Sequence, residues 1–224
     1  MAETSRGHVI LCGLGTVGYR VLEELIELGE QVFAVERNAD SEFVTRAREL
    51  GAEVIIGDAR ADLLMKGLNV RSARAVIIVT DDDLANLEIA MDVRELRADV
   101  PIVMRLFDQR LAQKVKPILG VQVSVSTSMV SAPLFAAAAL DPRVVGTHRV
   151  GGRVMLVIEV VAGQALAGRC VADLQSQYGF GIVALRKADQ DWILQPPADE
   201  PVVRGDLVQL MVPGDRLDDA RALG

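Results

Sequence analysis

Three glycines and one acidic residue near the amino terminus have the types and spacing of a site for phosphate and ribose. Gly13, Gly15 and Gly18 form a G-x-G-x-x-G pattern after the apolar run 9–12, and Glu36 follows eighteen positions after the last glycine. Such glycines let a strand turn tightly into a helix, let the backbone approach a pyrophosphate, and let the helix pack closely on the sheet. The free amides at the start of that helix then face the phosphates. The pattern predicts a dinucleotide-binding site.

Glu36 indicates which nucleotide to expect. A carboxylate at the end of the second strand accepts hydrogen bonds from both hydroxyls of an adenosine ribose, and it repels a 2′-phosphate. NAD(H) or a plain adenine nucleotide is therefore expected rather than NADP. A glycine turn that binds nothing is the alternative interpretation of the same residues.

Alternating strand-like and helix-like segments must position these residues. From Gly7 to about Leu140 the alternation is regular, which is typical of right-handed crossovers and a parallel sheet. The predicted fold class is α/β, with a Rossmann-type doubly wound parallel six-stranded sheet. We predict strands over 8–12, 31–36, 53–57, 75–80, 101–105 and 121–125, and helices over 16–28, 41–50, 60–67, 83–97 and 109–116.

A smaller α+β domain is predicted after Asp141-Pro142, where the pattern changes to short strands with tight turns. The predicted domains are therefore 7–142 and 143–224. In the second domain we predict strands over 154–161, 181–186, 192–194 and 206–212, and helices over 171–178 and 215–223.

The segment from Met129 to Leu140 is apolar on nearly every side. A helix of that composition has little polar surface to present to water and must be covered. A second subunit is the favoured cover, and burial within one subunit is the alternative.

Composition excludes several classes of protein. The net charge of −7 and the pI near 4.9 argue against a nucleic-acid surface, since the sequence contains no Lys/Arg cluster interleaved with aromatic residues. Cys12 and Cys170 have no metal-like spacing and resemble buried small hydrophobes in a reducing compartment. No apolar run reaches about 18 residues, and Met1 to Arg6 lacks the apolar segment of a signal peptide. The chain is expected to be cytoplasmic, without direct insertion into a membrane.

From about residue 7 to 217 the chain resembles the RCK (regulator of K⁺ conductance) family, also known as the TrkA type, with its N-terminal and C-terminal domains in succession. The first half of the resemblance is carried by Gly13-x-Gly15-x-x-Gly18, Val35-Glu36, Gly57-Asp58-Ala59, Val79-Thr80-Asp81-Asp82-Asp83-x-x-Asn86 and Met104-Arg105. The second half is carried by Ala167-Gly168-Arg169-x-x-x-x-Leu174, Ile182-x-Ala184-x-Arg186 and Arg204-Gly205-Asp206-Leu207-Val208.

The resemblance implies a cytoplasmic regulatory domain or subunit of a potassium channel or of a Trk/Ktr potassium transporter, at the inner face of the cell membrane. It implies a homodimer formed through the helix after strand six, and a ring, as a tetramer of dimers, beneath the membrane partner. NAD(H), ATP, ADP or AMP bound in the cleft would change the ring geometry and so the gate. Such a ligand can shift the equilibrium between two ring states only by the difference between its affinities for them. Similar domains regulate some cation:proton antiporters, which remains an alternative.

The resemblance also assigns residues to parts of the ligand, all of them at carboxyl ends of strands. In ATP-responsive members an arginine stands at the position of Thr16. A threonine cannot neutralise a γ-phosphate, so NAD(H) is favoured over ATP. The implied residues are Gly13, Leu14, Gly15, Thr16, Val17 and Gly18 for the phosphate loop, Glu36 and Arg37 for the adenosine, Asp58 and Ala59 for the adenine, Thr80 and Asp81 for the cleft wall, and Arg105 for a phosphate or an acidic partner.

No catalytic and no metal-ligating residues are predicted. Asp81-Asp82-Asp83 stands where a helix cap and first turn belong, which favours a helix-dipole role over a divalent cation. Glu159 resembles the position at which some members of the family bind a divalent cation. It has no second carboxylate within two residues, which favours an ordinary exposed strand residue.

An NAD-dependent oxidoreductase is the main alternative function. Such an enzyme needs an acid/base group beside the nicotinamide and a substrate domain, and neither is visible in the sequence.

Overall fold

The structure is a computed structural model that describes residues 7–121, 123–125, 127–188 and 190–223. Met1 to Arg6, on which the expectation of no signal peptide rests, lie outside this description. The chain divides into two compact units on either side of the bond between Thr127 and Ser128. This division groups the helix after the sixth strand with the second unit, whereas the sequence analysis placed it in the first domain. The domain assignments 7–142 and 143–224 stay a prediction.

The first unit contains the predicted parallel sheet. The strands are β1 (Val9–Cys12), β2 (Val32–Glu36), β3 (Glu53–Ile56), β4 (Ala75–Ile78), β5 (Ile102–Arg105) and β6 (Val123–Val125). The helices are α1 (Thr16–Glu27), α2 (Glu42–Glu49), α3 (Asp62–Gly67), α4 (Asp83–Leu96) and α5 (Gln109–Leu119). The strand order is β3-β2-β1-β4-β5-β6. The predicted fold class is confirmed, and the predicted bounds of these elements differ from the observed ones by at most three residues.

Both faces of the sheet are buried, which explains the nearly continuous apolar runs of its strands. On β1, Ile10 belongs to the same buried cluster as Ile89 of α4, and Leu11 belongs to the cluster that contains Leu22 of α1. Cys12 is level with Val35 of β2 and with Ile78 of β4, so the loops that follow these three strands emerge at one edge of the sheet.

The second unit is built on a five-stranded antiparallel sheet and a separate two-stranded sheet. The elements are α6 (Thr127–Leu140), β7 (Val144–Val150), β8 (Arg153–Val161), β9 (Arg169–Cys170), α7 (Val171–Tyr178), β10 (Gly181–Arg186), β11 (Trp192–Leu194), β12 (Pro201–Val202), β13 (Leu207–Pro213) and α8 (Leu217–Arg221). The order of the larger sheet is β11-β10-β13-β8-β7, and the smaller sheet pairs β12 with β9. No bounds were predicted for β7, the short strands β9 and β12 were missed, and the predicted final helix is a 3₁₀ turn followed by α8.

Helix α6 leaves most of its large apolar side chains exposed. Met129, Val130 and Leu140 are each more than 60% exposed, and Phe135 is 75% exposed. Ala137 is buried and belongs to the core cluster of the second unit. The apolar helix is therefore attached to that unit by one side and presents the rest of its surface to solvent.

The end of α6 is fixed by a buried ion pair. Asp141 accepts hydrogen bonds from the Arg143 guanidinium at 3.0 and 2.8 Å, and Arg221 of α8 lies 3.6 Å from the same carboxylate. The Arg143 hydrogen bond is the main cause that lowers the pKa of Asp141 to about 2.

In the part of the chain that the structure describes, no helix combines the length and the apolar character needed to span a bilayer.

Candidate functional site

A cleft of about 1080 Å³ opens at the carboxyl edge of the parallel sheet. The strand order reverses at β1, between β2 and β4, and such a switch point is where open α/β sheets bind ligands. Twelve of the thirteen predicted site residues line the cleft, and Gly18 lies beneath it in α1. The twelve are Gly13, Leu14, Gly15, Thr16, Val17, Glu36, Arg37, Asp58, Ala59, Thr80, Asp81 and Arg105.

The three glycines of the loop have different surroundings. Gly13 has a φ of +95°, which favours glycine, and a Cβ there would lie 3.0 Å from the Thr80 nitrogen. A Cβ at Gly18 would lie 2.0 Å from the carbonyl oxygen of Gly13, so helix α1 can approach the loop only without a side chain at that position. A Cβ at Gly15 would meet no atom within 4 Å. The loop therefore packs tightly against the protein at Gly13 and Gly18, whereas at Gly15 it faces the open space of the cleft.

Glu36 joins the end of β2 to the glycine loop. Its Oε2 accepts a hydrogen bond from the Leu14 amide at 2.8 Å, and its Oε1 accepts one from the Asn38 amide at 2.8 Å. A carboxylate has about four acceptor positions, so Glu36 keeps capacity for further donors such as ribose hydroxyls.

Asp58 is paired with Arg60, a residue that the sequence analysis did not single out. The Arg60 guanidinium donates to both oxygens of the carboxylate, at 2.6 Å from Nη2 and 3.0 Å from Nε. These bonds are the main cause that lowers the pKa of Asp58 to about 2. Arg60 also lies 3.7 Å from Glu88, so it links the loop after β3 to helix α4.

Buried Asn86 connects the ends of β4 and β5. Its Oδ1 accepts a hydrogen bond from the Thr80 hydroxyl at 2.6 Å, and its Nδ2 donates to the carbonyl oxygens of Thr80 at 3.2 Å and of Arg105 at 3.1 Å. Asn86 is part of the sequence pattern that carries the family resemblance, but no role was predicted for it. The available signal was a polar residue on the helix face that also carries Ile89 and Val93.

The acidic run 81–83 at the start of α4 has the predicted capping role at Asp82. The Asp82 carboxylate accepts hydrogen bonds from the amides of Leu84 and Ala85 at 2.9 and 3.2 Å. Asp83 reaches further and accepts hydrogen bonds from the amides of Phe107 and Asp108 in the loop after β5. Among the residues that the structure describes, no group of three or more His, Cys, Asp or Glu could hold a metal ion.

Arg105 brings a cation to the end of the cleft that follows β5. Its guanidinium lies 4.0 Å from the centroid of the Phe107 ring, and its Nε is buried with no hydrogen-bond partner among the described residues. A buried donor without an acceptor is uncommon in folded proteins, and an anionic oxygen would satisfy it.

Several lining residues were missed from the sequence. Five of them lie two to seven positions beyond the ends of β2, β3 and β5, and the rule that ligands bind at those ends was the signal for them. The missed residues with polar or aromatic side chains include Asn38, Ser41, Phe43, Arg60 and Phe107.

The fold defines a Rossmann-type α/β protein with a cleft at the switch point of its sheet, followed along the chain by a small antiparallel unit. The sequence model of the TrkA-N domain family matches residues 9–127, just over half of the chain. The chain belongs to the TrkA-N domain family, and the resemblance seen in the sequence is confirmed.

Relatives of similar length are potassium-uptake proteins. The Trk system potassium uptake protein TrkA of Mycobacterium tuberculosis is 28% identical over 200 residues, which cover 88% of this chain and 89% of that protein. The Ktr system potassium uptake protein C of Bacillus subtilis is 26% identical over 212 residues, which cover 93% of this chain and 92% of that protein.

A solved structure of the GsuK channel bound to NAD has the same fold. It matches 99% of this chain with a TM-score of 0.61 and 19% sequence identity. The match covers 40% of the GsuK chain, so this chain spans less than half the length of that channel.

Proposed function

We propose that this chain is a cytoplasmic nucleotide-sensing regulatory subunit or domain of a potassium channel or transporter. The observation that carries the proposal is the cleft, in which an open glycine loop, a ribose-type carboxylate and an unpaired arginine nitrogen surround one volume. The potassium-uptake relatives, which align along nearly the whole chain, support the assignment to potassium transport.

NAD(H) is the ligand that the cleft favours. The loop 13–17 would hold the phosphates on its amides, Glu36 with Arg37 would take the adenosine ribose, and Asp58 with Ala59 would border the adenine. Thr80 and Asp81 form the wall, and Arg105 supplies the cation for a pyrophosphate. Thr16 brings no charge to a third phosphate, so the cleft favours NAD(H) over ATP. ADP and AMP would fit the adenosine end of the cleft in the same way.

The exposed surface of α6 is assigned to a homodimer. An apolar helix with Phe135 exposed in the single chain is stabilised by burial against an identical helix. Dimers of this kind would assemble further, as a tetramer of dimers, on the cytoplasmic face of the membrane partner. A nucleotide that binds two ring states with different affinity then shifts the equilibrium between them, and with it potassium flux.

Binding and regulation account for the cleft better than hydride transfer does. Among the described residues that line it there is no histidine, lysine or tyrosine, which leaves carboxylates as the groups that could exchange a proton with a substrate beside the nicotinamide. Turnover of NADH with oxo-acids or aldehydes would support the oxidoreductase alternative. A change of proton-coupled cation exchange with unchanged potassium uptake would support the antiporter alternative.

Rubidium uptake in the native host tests the proposal. Cells that lack the gene should take up rubidium at an altered rate. The wild-type gene should restore the normal rate of uptake, whereas a gene that carries Glu36→Ala should not. Glu49→Ala, an exposed substitution on α2 outside the cleft, is the matched control and should restore uptake like the wild type. Uptake that is the same with and without the gene would overturn the proposal.

A further inference from the structure

Phe107 and Arg105 form a stacked pair at the β5 end of the cleft. Both residues line the cleft, and the guanidinium covers one face of the ring at 4.0 Å from its centroid. Phe107 nevertheless remains 53% exposed. An exposed aromatic face backed by a cation is a surface on which a second flat ring can stack.

Helix α4 holds both members of the pair in place. Asp83 accepts hydrogen bonds from the Phe107 amide at 3.0 Å to each carboxylate oxygen, and from the Asp108 amide at 3.1 Å. Asn86 donates to the carbonyl oxygen of Arg105 at 3.1 Å. The first turns of one helix therefore fix the backbone on both sides of Leu106, and the stacked pair is preorganised.

The pair lies at the opposite end of the cleft from Glu36. In the strand order β2-β1-β4-β5, three inter-strand intervals separate the strand that ends at Glu36 from the strand that ends at Arg105. At the usual strand spacing this is about 14 Å. A mononucleotide held by Glu36 leaves the Phe107 end empty, whereas a dinucleotide places its second nucleoside there.

We propose that Phe107 is a specificity-determining residue that stacks on the second ring of a dinucleotide, while Arg105 donates to the pyrophosphate. Asp83 is the positioning residue of the pair. This inference rests on the proposed function, since it presupposes an adenosine half at Glu36. It adds that the site distinguishes dinucleotides from mononucleotides through one aromatic side chain.

Calorimetric titration of the full chain with NADH and with ADP separates the inference from the proposed function. Phe107→Ala should weaken NADH binding roughly 10- to 100-fold, the range expected for one base–aromatic stack, and leave ADP binding as in the wild type. Phe107→Tyr should retain NADH affinity because it keeps the ring. Asp83→Asn should weaken NADH binding without affecting ADP. The fluorescence of bound NADH should differ between the wild type and Phe107→Ala.

Phe43→Ala is the matched control, because Phe43 lines the adenosine side of the cleft. It should change NADH and ADP affinity by the same factor, since both ligands share the adenosine half. If Phe107→Ala left NADH binding unchanged, or weakened ADP binding equally, the inference would be overturned while the proposed function stood. If the wild-type chain bound neither ligand, the proposed function would fail and the inference with it.

Discussion

The Oε2 atom of Glu36 accepts a hydrogen bond from the backbone amide of Leu14 at 2.8 Å. This bond joins the acidic end of β2 to the glycine loop after β1, so the carboxylate that we assign to a ribose and the loop that we assign to phosphates hold each other in position. On the proposed function, a nucleotide that changes the hydrogen bonding of Glu36 would act on the loop that leads into α1.

Alanine substitutions at Gly15 and Gly18 should have opposite effects on folding and binding. Gly18→Ala places a Cβ 2.0 Å from the Gly13 carbonyl oxygen, and overpacking against backbone should lower the free energy of unfolding by more than about 2 kcal/mol. Gly15→Ala meets open space and should fold like the wild type, but its methyl group should obstruct the phosphates. Urea unfolding and NADH titration check both. A Gly15→Ala protein with wild-type NADH affinity would show that phosphates do not approach that loop.

Asn86→Ala should destabilise the first unit and weaken nucleotide binding. The substitution removes the partner of the Thr80 hydroxyl and of the Arg105 carbonyl oxygen, which should cost roughly 1–3 kcal/mol of unfolding free energy. Asn38→Ala changes an asparagine at the exposed rim and should cost less than about 1 kcal/mol. Chemical denaturation of the two variants provides the comparison. Equal losses would mean that the buried network of Asn86 adds nothing beyond a rim asparagine.

The Asp141–Arg143 ion pair should stabilise the second unit in a pH-dependent way. Because the pKa of Asp141 is lowered to about 2 in the folded state, its contribution is complete above the usual aspartate pKa near 4 and is lost as pH falls towards 2. Asp141→Asn should therefore cost roughly 1–3 kcal/mol at pH 7 and less at pH 3. The exposed pair Arg153–Asp215 supplies the control, and Asp215→Asn should cost less than about 1 kcal/mol at pH 7. Urea unfolding at both pH values measures this difference, and a loss for Asp141→Asn that grows towards pH 3 would refute the account.

Phe135→Asp should separate the proposed homodimer into monomers. The side chain is 75% exposed in the single chain, so the substitution should leave the fold intact while placing a charge in the middle of the α6 surface. Leu194→Asp alters an equally exposed apolar residue, at 74%, on β11 and should leave the oligomer unchanged. Light scattering coupled to size-exclusion chromatography gives the masses. A Phe135→Asp protein that keeps the wild-type mass would exclude α6 as the interface.

Much of the fold follows from local sequence patterns, whereas the network around the cleft does not. The apolar runs at 9–12 and 32–35 are long enough to specify buried parallel strands, and the glycine spacing fixes the turn between β1 and α1. The pairing of Asp58 with Arg60 depends on side-chain directions in the loop after β3. The stacking of Arg105, the last residue of β5, on Phe107 depends on the path of the loop that follows β5, and neither loop carries a periodic pattern. The bonds from Asp83 to Phe107 and from Asn86 to Arg105 link residues 24 and 19 positions apart, and the register of β4 and β5 was needed to find them. The short strands β9 and β12 were missed because two residues are too few for any alternation to show.

The central claim is that the cleft binds NAD(H) through Glu36, and calorimetric titration with NADH and NADPH tests it most directly. The wild-type chain and the Glu49→Ala control should bind NADH and bind NADPH more weakly, because the Glu36 carboxylate repels a 2′-phosphate. Glu36→Ala should lower NADH affinity by more than about 10-fold, since hydrogen bonds to a charged group contribute roughly 1.5–3 kcal/mol. The same substitution should narrow the difference between the affinities for NADH and NADPH. NADH binding that Glu36→Ala leaves unchanged, or a wild-type chain that binds NADPH as tightly as NADH, would contradict the account.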